Sequence, residues 1–345
     1  MAKDEIISPE ALYQSATKCR RGVGWKDSTA HFMLNALPEI GKLSERLQSG
    51  TYEPRPTRHM HITHPKERDV QSISFRDRVY QRSLADNAVY PAVAKSLIYD
   101  NLACQKGKGP DFGRARLKEH LRRYYRENGP DGWVLQFDVH HYFPCMRHDV
   151  AEEIFRPRLP AEVFEMVQAI LHQQPGSMGY NPGSQMIQIL GIAYLDRLDH
   201  IIKEQLRVKH YLRYMDDGIL IHGDKALLER CMAEIKRELC RVGLQFNQKK
   251  TSIYPLRKGI RFLGFDFSLK RSGKVVMTLD PANIKDERRK LRRMAAKAKA
   301  GGMAKVKVDE CFASWKNHAH KGNNYKAIRR MEMFYSDLWK GADGK

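Results

Sequence analysis

Two apolar runs that end in carboxylates constrain this chain more than any other feature of its sequence. Trp133-Val134-Leu135-Gln136-Phe137 reads as a buried strand, and it stops at Asp138. Tyr211-Leu212-Arg213-Tyr214 and Gly218-Ile219-Leu220-Ile221 read as a hairpin around Met215-Asp216-Asp217. A carboxylate at the end of a buried element is costly unless a cation or hydrogen-bond donors meet it. Neighbouring strands of one sheet would bring these acids together, where like charges repel and a hard divalent cation relieves the repulsion. Two Mg²⁺ ions about 4 Å apart in such a cluster can activate an attacking hydroxyl and stabilise a leaving pyrophosphate. An isolated Asp-Asp pair is ordinarily an exposed turn. The apolar strands flanking this one, and the second strand-ending acid at 138, argue for more.

The chain has 345 residues, room for a sizeable core in two or three subdomains. Lys and Arg number 61 against 40 Asp and Glu, a net charge of +21, which is more than solubility requires. Such a surplus points to a polyanion, either nucleic acid or an anionic membrane. No apolar run is long enough to span a bilayer, and the N-terminal MAKDEIISPEAL has no apolar signal core. No membrane partner is therefore expected, and nucleic acid is the better reading. The cysteines at 19, 104, 145, 231, 240 and 311 form no C-x-x-C pair. That argues against a disulfide framework or a zinc site and fits a reducing cytoplasm.

Ser8-Pro9-Glu10 opens a helix, with serine as cap and proline at the first helical position. Residues 28–47 read as one helix, 59–74 as two strands around Pro65-Lys66, and 76–97 as a helix broken near Pro91. A basic amphipathic helix follows at 112–125. Beyond the first acid come helices at about 149–173, a Gly/Pro-rich loop at 175–183 and a long helix at about 185–208. A helix at 225–241 and short strands at about 251–254 and 260–267 precede a basic, helical stretch from Pro281 onward. Strands interrupted by helices, then helices alone, give an α+β class.

Tyr214-Met215-Asp216-Asp217 in a hairpin, preceded by Phe137-Asp138-Val139-His140-His141-Tyr142-Phe143, resembles two ordered motifs of reverse transcriptases. The resemblance runs from about residue 10 to 340. It implies a right-hand polymerase with fingers at 1–100, an antiparallel-sheet palm at 101–270 and a small all-helical thumb at 271–345. The palm would carry a helical finger insertion at about 146–180. Asp138, Asp216, Asp217 and the Val139 carbonyl would hold two Mg²⁺ ions, with Mn²⁺ able to substitute.

The same resemblance makes Phe143 a steric gate against a ribose 2′-hydroxyl, its alternative being a plain core ring. Lys66 and Arg68, before Phe75-Arg76-Asp77-Arg78, would hold the incoming triphosphate, a point charge beside a forked one. They could equally form a solvated basic turn, and Arg78 could pair internally with Asp77 or Asp86. Lys106 and Lys108, in a Gly-rich segment, would lie near template and primer. Lys250, favoured over Lys249, would protonate the leaving pyrophosphate. Arg261-Phe262-Leu263-Gly264 resembles a primer grip, although core packing explains such residues equally well. Arg289 and Arg293 lie on the basic face of the thumb, which would track a phosphate backbone. His318 and His320 read as nucleic-acid-facing or capping residues rather than a metal pair.

The remaining motif departs from the usual Q-G-x-x-x-S-P. Pro182 and Gln188 replace its first and last residues, while Gly183 keeps the glycine that admits nucleotide and template. A closing Gln is similar to reverse transcriptases of diversity-generating retroelements. A second register places Gly183-Ser184-Gln185 on the closing G-S-Q. Losing the polar first residue implies low fidelity.

These features lead to an RNA-directed DNA polymerase of a bacterial or phage retroelement, copying a structured template RNA into cDNA from dNTPs and a primer. A small basic accessory protein would assist, and nothing sets an oligomeric state. An antiphage-defence or retron-like enzyme with a dedicated non-coding RNA is the alternative, although the retron V-T-G motif is missing. An RNA-dependent RNA polymerase and an RNA-binding scaffold with a decayed site are further readings. No maturase, endonuclease or RNase H segment is read in the chain.

Overall fold

The computed structural model describes residues 2–62 and 67–340, so the expectation for Lys66 falls outside the described residues. The chain divides into two compact units. Met1–Gly109, Gln136–Gly218 and Arg230–Ser252 make the first, and Pro110–Leu135, Ile219–Glu229 and Ile253–Lys345 make the second.

Four helices open the chain: α1 (Lys3–Ile7), α2 (Pro9–Arg20), α3 (Asp27–Leu34) and α4 (Ala36–Gln48). Ser8 caps α2 as its sequence predicts, accepting from the Ala11 amide. Short α1 is held by tertiary contacts: Ile6 and Ile7 are fully buried, and their carbonyls accept from Ser83 and Ser44. The single helix expected over 28–47 is two helices. The chain restarts at Asn35, which places Pro38 in the first turn of α4, where its missing amide has no intrahelical partner to lose.

Strands β1 (Arg58–Ile62) and β2 (Arg68–Ser72) pair antiparallel. Helix α5 (Phe75–Leu84) runs through a π-turn at Ala85–Val89 into α6 (Tyr90–Ala94). The break expected near Pro91 is thus a widened turn, which accommodates a ring that an α-turn would push against a carbonyl. Helix α7 (Pro110–Asn128) leads to β3 (Trp133–Asp138). Next come α8 (His148–Phe155), α9 (Ala161–Leu171), α10 (Gln185–Ala193) and α11 (Asp196–His200), then β4 (His210–Tyr214), β5 (Asp217–His222) and α12 (Lys225–Arg241). The long helix expected over 185–208 is interrupted at Tyr194-Leu195, and the interruption leaves the Gly191 and Ile192 carbonyls to side-chain donors.

The chain continues through β6 (Ser252–Pro255), β7 (Ile260–Phe262), β8 (Phe265–Leu269) and β9 (Val275–Leu279), then α13 (Pro281–Lys299), α14 (Lys305–Ala319) and α15 (Tyr325–Asp337). The larger sheet has strand order β4-β5-β3-β6, and β7-β8-β9 form an antiparallel meander. Segment 271–345 is therefore not all helical: β9 opens it, and the helices begin at Pro281. Val275, Met277 and Leu279 are buried in alternation, the ordinary pattern of a half-buried strand.

Candidate active site

Strand β3 buries Val134, Leu135 and Phe137 completely, and this apolar run delivers Asp138 to its end, itself only 6% exposed. Strand β5 lies beside β3 and begins at Asp217. The two approach so closely that a Cβ on Gly218 would stand 2.2 Å from the Phe137 ring. Between β4 and β5 the chain turns at Met215, whose φ of +55° is unusual for a residue with a side chain. Asp216 and Asp217 follow at once.

The three carboxyls act on one another. Burial raises the Asp216 carboxyl above its ordinary range, and Asp138 raises it further. Asp217 is raised more strongly, first by burial and then by Asp216 and Asp138, and it hydrogen-bonds to Asp138. The counter-charge comes from Lys250, whose Nζ donates to Asp138 Oδ2 at 2.6 Å. That hydrogen bond raises the Lys250 ammonium above its usual value. Asn247, which sequence reasoning did not single out, donates its Nδ2 to Asp138 Oδ1 at 2.9 Å and its amide to the Asp138 carbonyl at 2.8 Å. Val139 forms an antiparallel bridge with Phe246. The 247–251 loop thus clasps the end of β3, and Lys250 rather than Lys249 reaches the acids.

Phe143 is half-buried beside the same turn. A Cβ on Gly191 would lie 3.0 Å from Phe143 Cε1 and 3.4 Å from Met215 Sδ. Gly183 also meets a constraint inside the protein: its Cβ would stand 2.3 Å from the Gln71 carbonyl oxygen, a close approach to β2. Ser184 caps α10 and donates to the buried Gln81 Oε1. Exposed Pro182 offers its carbonyl to Gln188 Nε2 at 3.3 Å. Lys106 is exposed, whereas the Lys108 ammonium is bonded to the Tyr99 and Asn101 carbonyls and holds its own loop. Arg68 lies in β2. The alternative pairing of Arg78 with Asp77 or Asp86 is taken instead by neighbours: Arg76 binds Asp77, while Lys18 and Arg82 bind Asp86.

Within the second unit, Arg261 pairs with Asp266 and Asp280, Phe262 is buried, and Leu263-Gly264 form a tight turn with φ of +47° and +82°. Arg288 and Arg292 cover the Phe334 ring, while Arg289 and Arg293 stay exposed on α13. His318 packs its ring on Phe265, and His320 caps α14.

Among the described residues, no group of three or more His, Cys, Asp or Glu side chains is arranged to hold an ion as it stands. The Lys250 ammonium is bonded to Asp138 Oδ2. The donor chemistry nevertheless suits a hard divalent cation: three carboxylates on rigid elements, two of them pushed toward neutrality by burial and mutual repulsion. Among the described residues no helix is long and apolar enough to cross a membrane.

The profile of the reverse transcriptase (RNA-dependent DNA polymerase) family matches residues 65–267, a span that includes all three acids and Lys250. No curated protein matches the chain. Among solved structures, the chain is similar to apo telomerase of Candida tropicalis truncated from its C-terminal domain, at 12% identity over 65% of this chain and 55% of that one, TM-score 0.49. It is also similar to telomerase of Candida albicans in complex with a TWJ fragment of telomeric RNA, at 10% identity over 84% of this chain and 56% of that one, TM-score 0.51. The chain spans little more than half the length of these telomerases, and the second likeness concerns the fold alone. With more than half of its length matched by the profile, the chain belongs to the reverse transcriptase (RNA-dependent DNA polymerase) family.

Proposed function

We propose that this chain is an RNA-directed DNA polymerase whose nucleotidyl transfer takes place at Asp138, Asp216 and Asp217. The observation that carries the reading is the meeting of these carboxyls at adjoining strand ends, with the Lys250 ammonium on Asp138. Reverse transcriptases generally use divalent metal ions. Two Mg²⁺ ions on the three carboxylates and the Val139 carbonyl, or Mn²⁺ in their place, would supply activation of the primer 3′-hydroxyl and balance charge on pyrophosphate. In the transfer, the primer 3′-hydroxyl gives its proton to solvent water and its oxygen forms a bond to the α-phosphorus of a dNTP as the bond to pyrophosphate breaks. Lys250, kept charged by Asp138, donates a proton to the leaving oxygen. Asn247 holds Asp138 in place throughout.

Phe143, beside Gly191 and the turn, acts as the gate against a 2′-hydroxyl, a reading its proximity to the acids supports. Lys66 and Arg68 bind the triphosphate, and Pro182, Gly183 and Gln188 line the approach to the templating base. Lys106, Leu263, Gly264, Arg289 and Arg293 serve template and primer, while Lys108, Arg261 and Phe262 shape the loop and turn that present them. Fingers at 1–100, a palm at 101–270 and a thumb at 271–345 remain part of this proposal, with the thumb's helices taken from Pro281 onward. Gly183 with the closing Gln188 supports a bacterial or phage retroelement of the diversity-generating kind, although Pro182 and Ile187 depart from that pattern too; the reading is cytoplasmic, with low fidelity, a structured template RNA and a small basic accessory protein. The test is extension of a primed RNA with dNTPs against rNTPs. Extension with dNTPs and little with rNTPs is expected, and Phe143→Ala should raise rNTP use. Equal use by the wild type would refute the DNA-polymerase reading.

A further inference from the structure

Beneath the Met215 turn lies an ion pair that the reaction as described does not use. Arg213 and Asp199 are both 0% exposed. The guanidinium donates Nε to Asp199 Oδ1 at 2.8 Å and Nη2 to Asp199 Oδ2 at 2.7 Å. Its Nη2 also reaches the Ile192 carbonyl at 3.0 Å, and its Nη1 reaches the Met215 carbonyl at 2.7 Å. Tyr211 Oη donates to Asp199 Oδ1 at 2.6 Å and completes the carboxylate's shell. The Arg213 backbone is fixed as well: its amide donates to Asp100 O, and its carbonyl accepts from the Leu102 amide.

A fully buried ion pair gives a fold little that well-packed apolar residues of the same volume would not. Its presence here calls for a reason other than stability, and the fourth hydrogen bond supplies one. Met215 is the left-handed residue on which the hairpin turns, and such a conformation persists only where the surroundings over-determine it. Four directed donors in one rigid plane are a property of guanidinium alone; a lysine ammonium has three and no fixed fork.

We infer that Arg213 is a positioning residue of the catalytic turn: clamped by Asp199 and Tyr211, it holds the Met215 carbonyl and so fixes the backbone that aims Asp216 and Asp217. This rests on the reading of Asp216 and Asp217 as catalytic acids. The Ile192 carbonyl ties the same guanidinium to the end of α10, where Asn101 Nδ2 shares that acceptor at 3.0 Å. The turn is therefore referenced to α10, to α11 and to the 100–102 segment together.

The test is single-nucleotide incorporation on a primed RNA by Arg213→Lys, with active sites titrated by a pre-steady-state burst. Loss of alignment should lower kcat per titrated site about 100-fold. KM for dNTP and affinity for the template–primer should stay within about twofold, since neither is made by the turn's tilt. A role confined to stability would lower the number of active sites and leave kcat per site unchanged, and that result would overturn the inference. Should Arg213→Lys fail to fold, Tyr211→Phe carries the test. It keeps every Arg213 bond but loosens Asp199, so kcat per site should fall severalfold at unchanged KM, and an unchanged kcat overturns the inference. Asp216→Ala run alongside separates the two levels. Activity in Asp216→Ala sinks the reading of the turn itself, whereas an inactive Asp216→Ala beside a fully active Arg213→Lys sinks only this inference.

Discussion

At Met215 in the first unit and at Leu263 in the second, a hairpin turns on a residue with positive φ that is not glycine, +55° and +47° respectively. In each case a buried arginine donates Nη1 to that residue's carbonyl, Arg213 at 2.7 Å and Arg114 at 3.1 Å. The counter-charges differ. Arg213 is neutralised by Asp199, which is wholly buried, whereas Arg114 is neutralised by Asp111, whose side chain is 70% exposed and also binds Lys321. Arg114 gains the face of Phe265 at 5.1 Å instead. The turn that carries acids is braced from inside, out of reach of salt and water. The turn that carries Leu263 and Gly264 is braced from the surface, where screening weakens the hold.

That contrast gives a graded series of outcomes. Arg213→Met should cost the most, about 3–5 kcal/mol of unfolding free energy, because it strands the buried Asp199 charge. Urea denaturation would show it, and a loss no greater than that of Arg114→Met would break the comparison. Gly191→Ala comes next: the new methyl presses on Phe143 and Met215, at about 1–3 kcal/mol, and should also change the ratio of dNTP to rNTP incorporation. An unaltered ratio would mean that the rings yield freely. Arg114→Met should cost about 1–2 kcal/mol, the worth of one turn hydrogen bond and one ring contact, since Asp111 stays in water. The loss should shrink in high salt, unlike that of Arg213→Met. The smallest effect concerns acid. Hydrogen bonds from Lys321 and then Arg114 hold the Asp111 carboxyl below its ordinary range. A depressed carboxyl stabilises the fold above its unfolded pKa of about 4, and that stability is lost as pH falls through the lower folded value. After screening it should amount to a few tenths of a kcal/mol. The stability gap between wild type and Asp111→Asn should accordingly be present at neutral pH and shrink as pH falls below the ordinary carboxylate value of about 4, and a gap that widens in acid would contradict it.

The chemistry was more legible in the sequence than the architecture supporting it. Apolar runs ending in Asp138 and in the Met215-Asp216-Asp217 turn carry a local signal, because a buried strand must account for an acid at its tip. Helix α12 and the Ser8 cap were equally plain, since amphipathic period and capping chemistry act over a few residues. What stayed hidden depends on partners distant in the chain. Asp199 looks like any helical acid until β4 brings Arg213 and Tyr211 to it. The need for a glycine at 183 against β2 shows only once the Gln71 carbonyl is seen beside it. At the interruption, Tyr194 Oη donates to the Val242 carbonyl and accepts from the Arg147 amide, and no helical period reports such a contact. Strand β9 is a different case: its alternation at Val275, Met277 and Leu279 is written in the sequence, but the long basic helix that follows is the stronger signal.

The claim on which all of this depends is that Asp138, Asp216 and Asp217 form one reaction centre. The direct measurement is dNMP incorporation on a primed RNA by wild type and by the Asp216→Ala, Asp217→Ala double variant, with template–primer affinity measured on the same samples. The account predicts that incorporation is abolished while affinity stays within about twofold of wild type, because the acids act on the reacting phosphate and not on the duplex. Near-wild-type incorporation by the double variant would contradict it.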